Sequence, residues 1–497
     1  MEEPEGLRRS QRSRRPVNFF SPPSQRRNKE APTRRRREDP DVQQVNDVQA
    51  PEVQVQAAED VIQIEPEGEE VGTQVPTQQP LLDLHDLPTL EEAFNHHIPT
   101  HKYPAKGARA EYGRECASIW GRMAEFPDNK QLWVLYFIFQ RVILPAGRGP
   151  RQADAYSQAR LQKERLSRWR KGEVLQLWEE AKKLTKIPTS KKKRQRDEKK
   201  EKTQEEKNAA RASTLAADGQ LTRAVQALTS HGLAEHNRAT EAEMRDKHPP
   251  ASQPMPPPPI TEAQPLSFDQ QTVKKGVQSF KRGSAPGPSG WRPEHLKTAL
   301  TSAPGRRDKA LENLTRLVNS MLKGEVPEEV TPFLCGGRLH AAIKKDGGLR
   351  PIAVGDVGRR LVGKLAAAAL ADRAAALLSP HQLGVGVRGA CEAIHQALRE
   401  ALDKNPDKAV LQLDLINAFN TVDRATAIQE LANNFPEALP WVTSCYGSPS
   451  HLLFGPSTIL SESGLHQGDP LAPLLFALVL QPIVEMLQGV GLDLNAW

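Results

Sequence analysis

The stretch Leu411-Gln-Leu-Asp-Leu-Ile-Asn-Ala-Phe-Asn420 decides how the C-terminal half of this chain is read. Val410 to Leu413 alternates apolar and polar residues, which predicts a half-buried strand. That strand carries one acid, Asp414, at its C-terminal end, ahead of a tight turn closing at Phe419. Further on, Gly464-Leu-His-Gln-Gly-Asp-Pro470 opens the segment Leu471 to Leu487. Asp469 is placed to cap a helix, Pro470 suits its first position, and the segment is apolar almost all round, so a buried helix is predicted. Between the two blocks, Asp423 reads as the N-cap of an amphipathic run through Ala427, Ile428, Leu431 and Phe435. Leu452 to Leu460 reads as a hairpin turning near Gly455-Pro456.

Upstream, Leu339 to Val354 predicts another hairpin, with Asp346-Gly-Gly348 as its turn. Lys344, Lys345 and Arg350 sit near its tip. Three cations on one rigid ribbon suit a triphosphate, which needs its charge neutralised in a fixed pose. An exposed basic hairpin that only keeps the sheet soluble accounts for the same residues. Asp414 is likewise open to two readings, since a strand-end aspartate commonly bonds locally. Phosphoryl transfer through two divalent cations needs several carboxylates and open coordination positions. Magnesium takes hard oxygen ligands and keeps some of its waters. Asp414 with the backbone carbonyl of Leu415 supplies part of such a site and not the whole. Ala418 is small enough for backbone to approach a phosphate chain.

Taken in order, Lys344-Lys345 with Arg350-Pro351-Ile352, Asp414 with Ala418-Phe419, and Gln467-Gly468-Asp469-Pro470 resemble a reverse transcriptase of the non-long-terminal-repeat retrotransposon type. The resemblance covers about residues 270–497. Gly283-Ser-Ala-Pro-Gly-Pro-Ser-Gly-Trp-Arg-Pro293 is similar to the loop that precedes the fingers in these enzymes. The resemblance implies an α/β (α+β) fold of fingers and a truncated palm. It implies an RNA-directed DNA polymerase with a two-metal mechanism and magnesium as cofactor. Asp414 and the Leu415 carbonyl would hold metal, Arg350 and one of the two lysines would meet the incoming nucleotide, and Phe419 would exclude a 2′-hydroxyl. Gly468 would let its loop touch the nascent base pair, and Gln467 would line the template side. Partners would be an RNA template, a DNA primer and deoxynucleoside triphosphates.

Two departures temper the resemblance. The family's third block is an aromatic residue followed by paired aspartates, and no Asp-Asp pair occurs in this sequence. No zinc finger is expected ahead of the matching region, and neither a thumb nor an endonuclease is expected within this sequence. The expectation is therefore a fragment without processive activity of its own. A non-catalytic nucleic-acid-binding remnant of a retroelement is the alternative, and an incomplete gene model is a third.

Composition frames the rest. The chain has 497 residues, 41 prolines and 38% hydrophobic residues, which suggests that part of it lies outside any packed core. The net charge of +7 favours polyanionic partners. Residues 1–37 hold twelve Lys or Arg against four acids. Residues 1–88 are expected to be a disordered tail, basic and then acidic. Arg34, Arg35, Arg36 and Arg37 read as a nuclear-import address, a nucleic-acid arm or a merely solvated cluster.

Residues 89–185 predict a small helical domain, from the spacing of Trp120, Met123 and Phe126 and the broad stripe Leu132 to Val142. A charged linker follows at 186–211 and a short helical segment at 212–248. A proline-rich linker spans 249–264, and fingers with an incomplete palm span 265–497. His96, His97 and His101 lack the further ligands a metal site needs. Cys116, Cys335, Cys391 and Cys445 stand singly, which fits a reducing compartment, nuclear or cytoplasmic. No secretory signal and no membrane span are expected. No Gly-x-Ser-x-Gly elbow or His-Glu-x-x-His helix points to a hydrolase.

Overall fold

Helix Lys130–Ile143 shows why the N-terminal half folds as it does. Asn129 caps it, its side chain accepting from the amides of Gln131 and Leu132. Every residue from Leu132 to Ile143 is buried, Gln140 and Arg141 among them, and the Arg141 guanidinium donates to the His96 carbonyl at 2.7 Å and the Phe137 carbonyl at 2.8 Å. Helices Leu90–Asn95, Arg109–Glu125, Ala155–Arg170 and Val174–Thr185 pack round it. The computed structural model describes residues 87–146, 155–185, 203–217, 219–301, 307–407 and 409–489. The expectations for Arg34 to Arg37 and the rest of 1–86, and for most of the linker at 186–211, lie outside these residues.

This helical segment shares its hydrophobic core with the C-terminal half. One cluster joins Trp120, Trp133 and Phe137 to Val318, Leu361, Leu370, Trp441 and Leu475. Helix Arg307–Leu322 lies against Arg109–Glu125, where the Asn313 amide donates to the Ala117 carbonyl at 2.9 Å. Trp291, from the glycine-proline loop at 283–293, stacks on Tyr136 with ring centroids 5.4 Å apart. Its indole N–H donates to the Tyr136 carbonyl at 3.0 Å. The proline-rich stretch is anchored at both ends. Ser463 Oγ donates to the Pro249 carbonyl at 2.8 Å, and the Leu266 amide donates to the Glu437 carbonyl at 2.9 Å.

Among the described residues the sheet is mixed and four-stranded, with β1 (Gly337–Ile343), β2 (Leu349–Gly355), β3 (Ser450–Phe454) and β4 (Ser457–Ser461) lying in the order β2-β1-β3-β4. β1 and β2 form the first hairpin, with Ile343 opposite Leu349. β3 and β4 form the second, and β3 runs parallel to β1 at Gly337 and Arg338. Both hairpins turn where the glycines predict. Leu339, Ala341, Leu349, Ala353, Leu452, Phe454 and Ile459 make a second core beneath the sheet, closed by Met244. Helices Arg424–Asn434 and Ala472–Gly489 also fall where periodicity and caps place them, and helices Val357–Leu378 and Ala390–Lys404 lie between the first hairpin and the Phe419 turn. Helix Ala472–Gly489 is long and apolar enough by length and composition to cross a membrane, yet Leu474, Leu475, Ala477 and Leu478 are buried in the core.

One element departs from expectation. Val410 to Leu413 forms no strand, and residues 409–415 have no regular structure. Leu411, Leu413 and Ile416 expose 81%, 76% and 94% of their surface. Alternation records which face a strand would bury, but a strand also needs neighbours for its amides and carbonyls. Among the described residues none pairs with this segment. The preceding helix Ala390–Lys404 buries no residue either.

Candidate active site

Three separated blocks are joined by main-chain hydrogen bonds. The Ala353 amide on β2 donates to the Gln467 carbonyl at 3.1 Å. Two residues earlier, the Leu465 amide donates to the Phe419 carbonyl at 2.5 Å, and the Gly464 amide to the Val422 carbonyl at 2.9 Å. The cationic hairpin, the Phe419 turn and the Gln467-Gly468 turn are thus neighbours. Gly468 is at φ 119°, and a Cβ there would meet the Ala353 carbonyl oxygen at 2.8 Å. Only glycine lets the loop lie this close to β2.

The Phe419 turn is held from a second side. Asn417, at φ 54°, is the one described non-glycine residue with a left-handed backbone, a conformation asparagine tolerates better than most. Its side-chain amide donates to the Lys247 carbonyl at 3.0 Å, and the Asn420 amide donates to the same oxygen at 2.9 Å. The Phe419 ring stacks on Phe476, with centroids 5.0 Å apart and planes 16° apart.

Beneath the Gln467-Gly468 turn lies a buried polar network. Arg359 Nη2 donates to Asp469 Oδ2 at 2.7 Å, with side-chain exposures of 4% and 5%. Arg359 Nη1 donates to His466 Nδ1 at 2.8 Å and also to the Cys335 carbonyl. Tyr446 Oη donates to Asp469 Oδ2 at 2.7 Å. A guanidinium carries no acceptor, so His466 Nδ1 presents its lone pair and Nε2 bears the proton. That Nε2 lies 3.0 Å from Ser461 Oγ and 3.2 Å from Ser450 Oγ. Burial holds His466 well below the ordinary imidazole range, and Arg359 and Arg424 add to the effect. Burial likewise pushes Arg424 down to about 10, while its head group donates to Gly464 O at 2.8 Å and to Ser461 Oγ at 2.8 Å.

The residues singled out by sequence fall into three groups. Lys344, Lys345 and Arg350 stand exposed at the turn end of the hairpin, and among the described residues none of them forms an ion pair. Ala418, Phe419, Gln467 and Gly468 are drawn together by the bonds just described. Asp414 and Leu415 lie on the irregular exposed segment, in place of the strand end foreseen for them. Asp423 serves as the cap expected of it, accepting from the Thr426 amide at 2.7 Å. Sequence reasoning missed Arg359, Tyr446 and His466, because nothing in a linear pattern marks side chains that meet only in the core. Asn417 left a faint signal, an asparagine inside a tight turn.

Known proteins supply the context for this arrangement. The reverse transcriptase (RNA-dependent DNA polymerase) family profile matches residues 343–494. The retrovirus-related Pol polyprotein from the type-1 retrotransposable element R2 of Popillia japonica is 28% identical over 229 residues, 41% of this chain. The chain spans 30% of the length of that relative. Residues 343–494 thus match the reverse transcriptase family, and the likeness to the R2 polyprotein supports the non-long-terminal-repeat retrotransposon type.

Proposed function

We propose that this chain carries part of an RNA-directed DNA polymerase that receives a deoxynucleoside triphosphate opposite an RNA template, with a DNA primer. The junction of β2, the Gln467-Gly468 turn and the Phe419 turn through the Ala353–Gln467 and Leu465–Phe419 hydrogen bonds is the observation that supports it. In this reading Lys344, Lys345 and Arg350 neutralise the triphosphate. Phosphoryl transfer depends on such positioning and charge compensation more than on covalent chemistry by the protein. Phe419, braced on Phe476, excludes a 2′-hydroxyl. Ala418 lets the backbone approach the triphosphate, Gly468 lets its loop lie against the nascent base pair, and Gln467 lines the template side.

Magnesium is the ion expected for the family. The donors described here do not suffice for it. Asp414 and the Leu415 carbonyl are two donor groups on an exposed segment, and among the described residues no group of three or more His, Cys, Asp or Glu could hold a metal. With one acid in place of a carboxylate set, the chain by itself is proposed to make no processive product. Further acidic ligands, brought beside the unpaired 409–416 segment, would be needed for turnover.

The unpaired segment also favours a second reading, a non-catalytic nucleic-acid-binding remnant. Asp414→Asn separates the two. In the polymerase reading, nucleotide incorporation on a primed RNA, measured with the acid-bearing remainder of a palm supplied in trans, disappears in the variant. Binding of the same RNA by anisotropy is unchanged and weakens with salt in either reading. Incorporation that survives the substitution contradicts the role given to Asp414. We place this activity in the nucleus or cytoplasm on the grounds of the basic N-terminal segment and the unpaired cysteine spacing.

A further inference from the structure

We infer that Arg359 is a positioning residue for the incoming nucleotide, because one buried guanidinium holds both flanks of the Gln467-Gly468 turn. The inference rests on the reading of that turn as part of the nucleotide site.

The Asp469 amide donates to the His466 carbonyl at 3.1 Å, so His466 and Asp469 are the first and last residues of a four-residue turn. Gln467 and Gly468 are its central pair. The flanks point inward. His466 is 4% exposed, and the Asp469 side chain is 5% exposed. Gln467 is half-buried and Gly468 is exposed. The turn is thus anchored from within at both corners and displays its two central residues at the surface, where β2 fixes its edge through Ala353.

Arginine suits this task better than any other side chain. Its planar fork presents two donors in fixed relation, and here one meets the His466 ring and the other the Asp469 carboxylate. A lysine ammonium reaches one acceptor or the other without fixing their separation. The Tyr446 ring lies 5.5 Å from the guanidinium and its hydroxyl shares Asp469 Oδ2, which leaves the carboxylate little freedom. A buried ion pair of this kind is poor support for stability alone, since apolar residues of equal volume do as well. Its geometric gain is orientation.

The test uses the full chain with annealed RNA template and DNA primer in magnesium. The probe is dATP carrying an N-methylanthraniloyl group, opposite a template uridine. Arg359→Lys is expected to weaken nucleotide binding about tenfold, the worth of one charge-assisted bond, with primer–template affinity kept within about twofold. Tyr446→Phe, which leaves the guanidinium in place, is expected to weaken it about threefold, near the low end for one hydrogen bond. Hydrogen exchange at the Ala353 amide should speed up in proportion. Nucleotide binding unchanged in a folded Arg359→Lys protein overturns the inference. So does a parallel fall in nucleotide and duplex binding in Tyr446→Phe, which marks a purely structural role. A wild-type chain that binds the duplex but not the matched nucleotide overturns the underlying reading of the turn, and the inference with it.

Discussion

The hydroxyl of Tyr136 donates a 2.6 Å hydrogen bond to Oδ1 of Asp356, joining two residues 220 positions apart. Asp356 is fully buried and caps helix Val357–Leu378 through the Gly358 amide at 2.9 Å. Its other oxygen accepts from Ser289 Oγ. One carboxylate therefore ties the N-terminal helices and the 283–293 loop to the end of β2, the strand that carries the Gln467 contact.

Tyr136→Phe should destabilise the protein by about 1–3 kcal/mol, the range for leaving a buried acceptor short of a donor. Urea denaturation is the measurement. The midpoint should fall with the slope unchanged, because the surface exposed on unfolding is the same. A midpoint equal to that of the wild type would mean that the bond carries no weight.

Because Trp120, Trp133, Leu361 and Leu475 share one core, helices Lys130–Ile143 and Val357–Leu378 should open together. Native-state hydrogen exchange measures this directly, and amides in the two helices should report opening free energies that agree within about 1 kcal/mol. A lower-energy opening confined to 90–185 would show that the helical segment has its own stability.

His295 sets a pH dependence. It is fully buried, its Nε2 lying 2.8 Å from the His101 carbonyl while Nδ1 accepts from the Arg292 amide at 3.2 Å. Both bonds suit the neutral ring. Burial pushes its pKa down to about 3. The unfolded chain takes up this proton near pH 6.5 and the folded chain does not, so stability is full above that value and falls as the pH drops towards 3. Between pH 7 and 5 the loss should be about 2 kcal/mol from this group. His466 acts in the same direction. In His295→Gln the slope of stability against pH over that window should flatten by about the same 2 kcal/mol. An unaltered slope would assign the dependence elsewhere.

The role proposed for the hairpin tip rests on charge alone. Replacing Lys344, Lys345 or Arg350 with alanine should each reduce the slope of log affinity against log salt by about 1 if the group meets a phosphate. Anisotropy titrations over a salt series give the slope. Three variants with the wild-type slope would leave the hairpin as a solvated ribbon.

The sequence was most legible where local chemistry decides the outcome. Asp346-Gly-Gly348 and Gly455-Pro456 each close a hairpin, and Asp423 and Asp469 each cap, because turn and cap geometry is set within a few residues. The buried network was not legible, since Arg359, Tyr446 and His466 come from three separate elements. The strand at 410–413 was misread for a related reason. Its alternating pattern is local, but strand formation is settled by partners, and among the described residues it has none. The same limit applies to the core shared by Tyr136 and Trp291, which no periodicity within 89–185 discloses.

In the proposed function, β2 with its cationic tip, the Phe419 turn and the Gln467-Gly468 turn line one nucleotide cleft. Hydrogen exchange of the full chain bound to a primed RNA, with and without the matched deoxynucleoside triphosphate, tests it most directly. The nucleotide should slow exchange together at 344–353, 417–422 and 464–469. Protection of only one of these segments, or of none while the primed RNA stays bound, would contradict it.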